Sequence, residues 1–189
     1  GNVLVVAGSG GNGGDGLYAG AELARAGHHV EAIRVGTRIH ERAAAAFEHA
    51  GGQFVTKLGD YDLVIDGIIG LGGSKGLSDD LAALLARCAG TPILAIDVPS
   101  GINPDTGVPM GAHITATATV TFGVLRYAHA VSPACGEVVV GDIGIAPQGS
   151  HVQVYRSVGT GRVWPEGLHP IPRIPAIESL EPGPDDHKY

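Results

Sequence analysis

The stretch Val3-Leu4-Val5-Val6-Ala7-Gly8-Ser9-Gly10-Gly11-Asn12-Gly13-Gly14-Asp15-Gly16 decides the fold. Its first five residues are an uninterrupted apolar run, the pattern of a strand buried on both faces. A glycine-dense segment follows, and then a helical stretch from Leu17 to Ala26. Glycine at the carboxyl end of a strand lets the backbone turn tightly and lets a ligand come close to it. Amides gathered at a helix start form a partly positive hollow that suits polar or phosphate groups. The bland alternative is a flexible loop, and the strand-loop-helix order argues against it.

Gly8, Gly10 and Gly13 satisfy Gly-x-Gly-x-x-Gly, a weak pattern by itself. A nicotinamide dehydrogenase would add an acidic ribose reader about 20 residues further on. The second apolar run ends instead in Arg34-Val35-Gly36, and Arg34 is compatible with a 2′-phosphate. Asp15 falls at the expected helix start, where its carboxylate caps free amides for about 0.5–2 kcal/mol. There it competes with a pyrophosphate for the same partial charge. The loop thus reads as a nucleotide site of a kind other than the dehydrogenase one.

Working outward, six short apolar runs recur: Val3–Ala7, Val30–Val35, Leu63–Ile65, Ile93–Ile96, Ala118–Phe122 and Val138–Val140. Between them lie helical stretches. Leu17, Ala21 and Ala24 share one face before Gly27, Arg38 to Ala50 runs up to Gly51-Gly52, and Ser78-Asp79-Asp80 opens Leu81 to Ala89 before Gly90. This alternation predicts an α/β fold, a Rossmann-like three-layer α/β/α sandwich with a mostly parallel sheet. Ligands of such sheets bind at the carboxyl ends of the strands, which here are Gly8, Gly36, Asp66, Asp97, Gly123 and Asp142.

The 189 residues fit one domain with an appendage, and a 44% apolar content fits a globular chain. A net charge of −7 with scattered basic residues argues against nucleic acid as a partner. No apolar run is long enough to cross a bilayer. Cys88 and Cys135 form no metal-type pair, Cys88 reads as a buried packing residue, and a cytoplasmic setting is expected. Seven of the twelve prolines lie from Pro147 onward, so 160–189 reads as an extended linker appended to a domain of residues 1–159. With no initiator methionine and an end at Asp186-His187-Lys188-Tyr189, the chain is expected to be a piece of a longer protein.

Asn12, Asp66 and Ser100 offer an amide oxygen, a carboxylate and a hydroxyl. Oxygen-only sets suit hard cations, and a single carboxylate favours a monovalent one. Asp66 alone also reads as a strand-end turn acid. Asp97, next to the apolar Ile93–Ile96 run, is the candidate for proton transfer, because desolvation raises a carboxyl pKa toward a useful range. Its alternative role is to cap Ser100-Gly101. Lys75 either meets a phosphate or lies in solvent. Asp105-Thr106-Gly107 occurs once, in a turn, and the nine histidines show no metal spacing near an acid.

On these residues the chain resembles the NAD(P)H-hydrate epimerases, the amino-terminal part of bifunctional NAD(P)H-hydrate repair enzymes. The resemblance rests on Gly8 to Gly16, on Val64-Ile65-Asp66-Gly67-Ile68-Ile69-Gly70-Leu71-Gly72, and on Ala95-Ile96-Asp97-Val98-Pro99-Ser100-Gly101. It also includes Val120-Thr121-Phe122-Gly123 followed by Asp142-Ile143-Gly144-Ile145. These blocks span residues 1–146, while Asp186 to Tyr189 looks like the opening of a dehydratase half that uses ADP or ATP.

The resemblance implies epimerisation of the R and S forms of hydrated NADH and NADPH, for which a non-catalytic dinucleotide-binding scaffold or sensor is the alternative. It implies one K⁺ per subunit on Asn12, Asp66 and Ser100, and Asp97 as general acid/base. Hydrate would be bound by Gly11, Asn12, Gly13, Gly14, Asp15, Gly70, Leu71, Gly72, Gly73, Ser74, Lys75, Gly76 and Asp97. A homodimer and a dehydratase domain in cis are implied for the full-length protein. Gly11 stands where the family has a first asparagine, and Arg126-Tyr127 where it has Lys-Pro. The family helices that precede the first strand and help build the dimer are absent from these residues.

Overall fold

A computed structural model describes residues 1–70 and 75–141 together with Ile143. Leu71, Gly72, Gly73, Ser74, Asp142 and the whole 160–189 segment therefore lie outside the described residues. So does the Asp186-His187-Lys188-Tyr189 end.

Among the described residues, seven strands form one sheet in the order β3-β2-β1-β4-β5-β6-β7. They are β1 (Asn2–Ala7), β2 (His29–Arg34), β3 (Gln53–Phe54), β4 (Leu63–Gly67), β5 (Ile93–Ile96), β6 (Ala118–Phe122) and β7 (Glu137–Gly141). Every neighbouring pair is parallel, as the continuous apolar runs predict. Four α-helices lie between strands: α1 (Gly11–Arg25), α2 (Glu41–His49), α3 (Asp79–Leu85) and α4 (Tyr127–Val131). The two-residue β3 and the five-residue α4 are additions to the sequence reading. Both are too short to leave a periodic signature.

The pleat of β1 explains the layering. Val3, Val5 and Ala7 pack with Leu17 and Ala21 of α1 and with Ala43 and Phe47 of α2. Leu4 and Val6 face the opposite layer, with Leu58, Ile68, Leu77 and Leu85. Both faces of the strand are thus buried, which is why it carries no polar residue between Val3 and Ala7. The stops fall where glycine allows a left-handed residue: Gly27, Gly51 and Gly90 all have positive φ. Ser78 caps α3, its Oγ accepting from Leu81 N at 3.4 Å, and Cys88 is buried as its sequence position indicates.

Candidate active site

The glycine loop joins β1 to α1 at the centre of the sheet. Gly8 N donates to Gly67 O at 2.9 Å, which binds the loop to the end of β4. A methyl on Gly8 would fall 1.8 Å from Ile68 O, and one on Gly13 would fall 1.9 Å from Gly8 O. Glycine is required at both positions by close backbone approach, whatever is bound there.

One expectation is corrected here. The helix begins at Gly11, with Gly10 as its N-cap, no side-chain cap and no acid in its first turn. Asp15 therefore sits in the second turn and does not cap the amides. Propensity hides this start, because glycine disfavours helix interiors and the first turn is almost all glycine. The consequence favours an anionic ligand, since the partial positive charge at the helix start is left uncompensated by a first-turn carboxylate.

Asp66 and Ser100 are hydrogen-bonded to each other, while Asn12, in the first turn of α1, is bonded to Ile96 at the end of β5 and lies close to Gly70 beyond β4. Asp66 lies within β4, paired with Val6 and Ala95, rather than beyond the strand's end. Its carboxylate is 1% exposed and accepts from Ser100 N at 2.8 Å, Ser100 Oγ at 2.6 Å and Ile68 N at 3.2 Å. The acid that caps the Val98–Gly101 loop is thus Asp66, and Asp97 is relieved of that role. Burial pushes the Asp66 carboxyl above its usual range, against the pull of the Ser100 and Ile68 hydrogen bonds. Among the described residues no ion pair reaches it.

The Asn12 side chain is fixed by its Nδ2, which donates to Ile96 O at 2.9 Å. Its Oδ1 is buried and accepts from no group among the described residues. A methyl on Gly70 would fall 2.9 Å from that oxygen, so glycine there keeps the approach to Oδ1 open. A buried acceptor without a donor is rare, and a cation satisfies it as a donor would. The neighbouring groups offer that acceptor, the Asp66 carboxyl and the Ser100 hydroxyl, all of them oxygens. Such a set fits a hard monovalent cation. No cluster of three His, Cys, Asp or Glu side chains suited to a metal occurs among the described residues.

Asp97 follows β5 directly and has φ +64, the one positive φ of a non-glycine residue among the described residues. Such a conformation costs about 1–2 kcal/mol for an L residue, least for Asp and Asn, and gathers at functional sites. Burial pushes the Asp97 carboxyl up, the Asp15 carboxylate adds to the rise, and Arg126 opposes it. Asp15 is itself raised by burial and held back by His40. The carboxyl that adds to the rise of Asp97 is thus itself raised by burial. Arg126, which stands where the resembled family has lysine, lends its charge to Asp97.

Sequence reasoning missed His129. It is 2% exposed, and its Nε2 stands 2.6 Å from Asp97 O. A lone histidine between alanines in a short helix gives no signal.

Gly70 and Gly76 are partly buried and Lys75 is exposed, while Leu71 to Ser74 lie outside the described residues. The Asp105-Thr106-Gly107 turn is closed by Asn103 Oδ1, which accepts from Asp105 N at 2.9 Å and Thr106 N at 3.1 Å. That settles it as a local turn. No helix among the described residues is long and apolar enough to cross a membrane.

The sheet order and the loops at its carboxyl edge define a Rossmann-like α/β protein with its ligand face at the start of α1. The chain belongs to the family described as YjeF-related protein N-terminus, whose pattern matches residues 1–128. It is similar to the bifunctional NAD(P)H-hydrate repair enzyme Nnr of Corynebacterium glutamicum, with 39% identity, over 100% of this chain and 42% of that relative. The NAD(P)H-hydrate epimerase of Weissella koreensis is 41% identical, over 76% of this chain and 71% of the relative. The chain spans 42% or less of the bifunctional relatives it matches from Corynebacterium glutamicum and Mycobacterium leprae. The crystal structure of yeast ynu0 shares the fold, with a TM-score of 0.65 at 19% identity, over 81% of this chain and 75% of that one.

Proposed function

We propose that this chain is the epimerase part of an NAD(P)H-hydrate repair enzyme, interconverting the R and S forms of hydrated NADH and NADPH. The observation that carries the reading is Asp97: a partly buried carboxyl with a raised pKa, beside a buried oxygen cluster at the ligand edge of the sheet. The names of the relatives support it.

The substrate carbon bears a hydroxyl and is bonded to the ring nitrogen. Inverting it requires the hydroxyl to leave, or the ring to open, and oxygen to return on the opposite face. One group must donate a proton and later take it back. A carboxyl whose pKa is raised toward neutrality does both. Burial and Asp15 favour the protonated form of Asp97 at the start of the cycle, and Arg126 steadies the carboxylate once the proton has gone. The open amides at the start of α1, with Gly11 to Asp15, would receive an anionic part of the dinucleotide. Gly70 to Gly76 would close over the hydrate from the β4 side.

Asn12, Asp66 and Ser100 would hold one K⁺, which would supply fixed positive charge beside the reacting ring. The buried Asn12 Oδ1, which accepts from no group among the described residues, supports the ion. In the longer protein we place a dehydratase half in cis after a linker at 160–189, a homodimer and a cytoplasmic setting.

The test is Asp97→Asn, followed by proton NMR of the two hydrate epimers. Epimerisation is expected to fall about 10²–10⁴-fold while hydrate still binds. An unchanged rate removes Asp97 from the mechanism. Binding without turnover in the unaltered chain marks a sensor or scaffold instead.

A further inference from the structure

We propose that His129 is a positioning residue for Asp97: its buried imidazole, fixed in one tautomer, grips the Asp97 carbonyl and thereby aims the carboxyl. The inference rests on the reading of Asp97 as the proton carrier.

A non-glycine residue in the left-handed region persists only where its surroundings over-determine it. Three hydrogen bonds do so at Asp97. Its own N–H donates to Val120 O at 2.7 Å, and Val98 N donates to Ile96 O at 2.9 Å, closing a tight turn around it. Both are backbone bonds and depend on no particular side chain. The third is a side-chain bond and comes from another element, with His129 Nε2 at 2.6 Å from Asp97 O.

The protonation pattern of the ring follows from its partners. Arg126 N lies 2.8 Å from His129 Nδ1. A backbone amide only donates, so Nδ1 accepts. The neutral ring then carries its hydrogen on Nε2, aimed at a carbonyl that only accepts. Burial also lowers the His129 pKa, in line with a neutral ring. Both nitrogens are thus used, one to anchor the ring to the start of α4 and the other to hold Asp97.

Packing alone does not ask for an imidazole here. Its neighbour Ala128 is 0% exposed in the small cluster with Val98, Ile102, Cys135 and Val138. An apolar side chain would fill that place without needing partners. What the histidine adds is a donor at the one peptide whose conformation sets the direction of the Asp97 Cβ. Release of that carbonyl lets the peptide turn toward negative φ and carries the carboxyl away from Asp15 and Arg126.

The experiment compares His129→Leu and His129→Gln in the full chain. It measures epimerisation by proton NMR and the titration of the Asp97 carboxyl by ¹³C NMR. The glutamine amide nitrogen reaches the Nε2 position and donates, whereas leucine does not. His129→Leu is expected to lower kcat about 10–100-fold with little change in KM, as small misplacements of a reacting group do. It should also move the Asp97 titration toward the usual carboxylate range, and His129→Gln should recover most of both. If the leucine variant fails to fold, His129→Asn replaces it, since its amide reaches only the Nδ1 position and should show the leucine pattern. Equal losses in His129→Gln and His129→Leu overturn the proposal, as does an unchanged Asp97 titration in His129→Leu. Asp97→Asn run alongside separates the two readings. A wild-type rate there removes the proton carrier, while the carboxyl titration still reports whether His129 sets its surroundings.

Discussion

Replacing Asp66 by asparagine is the most informative change at the oxygen cluster. The buried carboxyl takes Ser100 N on one oxygen, and Ser100 Oγ and Ile68 N on the other. An amide keeps only one acceptor oxygen, so at least one buried donor faces an NH₂ group, at about 1–3 kcal/mol. Asp66→Asn is therefore less stable in any salt. The discriminating quantity is how far melting temperatures differ between potassium and choline chloride. A ligand at about a hundred times its Kd adds about 2.7 kcal/mol, or about 5–10 °C for a chain of this size. Asp66→Asn should lose most of that difference.

The pH dependence has a definite sign. Burial raises the folded-state pKa of Asp66 above its unfolded value. In the window between the two, the folded state holds the proton and the unfolded state has lost it, so stability falls as pH rises and stays lower above the window. A cation that binds the ionised carboxylate offsets this loss. The potassium effect should be full above the folded pKa and fade as pH falls through it. Equal melting in potassium and choline at high pH, or an undiminished potassium effect in Asp66→Asn, would refute the assignment of this cluster to a cation.

Three further outcomes are expected besides those for Asp97 and His129. Gly8→Ala drives a methyl to 1.8 Å from Ile68 O and should cost about 3 kcal/mol or more by urea unfolding. Gly11→Ala meets nothing within 4 Å and should be neutral or stabilising by up to about 1 kcal/mol, so similar losses at both positions would contradict the packing of the loop. Arg34 lies at the end of β2 with its guanidinium 5.5 Å from the Phe54 ring centre, and we propose that it meets the 2′-phosphate of hydrated NADPH. Arg34→Ala should raise KM for hydrated NADPH about tenfold and leave hydrated NADH unaffected, as steady-state kinetics on the two substrates will tell.

The parallel sheet was legible because each major strand is a continuous apolar run and each helix carries its own stop. Gly27, Gly51 and Gly90 mark those stops in sequence and adopt positive φ in the structure. The oxygen-bearing Asn12, Asp66 and Ser100 were legible as residue types beside apolar runs, and the structure joins two of them, Asp66 and Ser100, by hydrogen bonds. Which acid caps the Ser100 loop was not, because Asp66 and Asp97 both follow apolar residues and only the register of β4 against β5 separates them. The start of α1 was misplaced since a helix opening in glycine has no propensity to announce it. His129 and the left-handed Asp97 stayed hidden for another reason. Their bond joins backbone to side chain across 32 positions of sequence, and His129 belongs to no pattern.

The order of the strands bears on how such a polypeptide is made. β1 precedes β2 and β4 in the chain yet sits between them in the sheet, so its backbone is fully paired only after Gly67 has left the ribosome. Until then Val3 to Ala7 are a water-insoluble ribbon with unpaired edges, the kind of segment that holdase chaperones shield. Ser100, which completes the rim, arrives later still. A nascent chain therefore has to shield its most apolar strand until β2 and β4 follow, and it gains the rim later than the sheet.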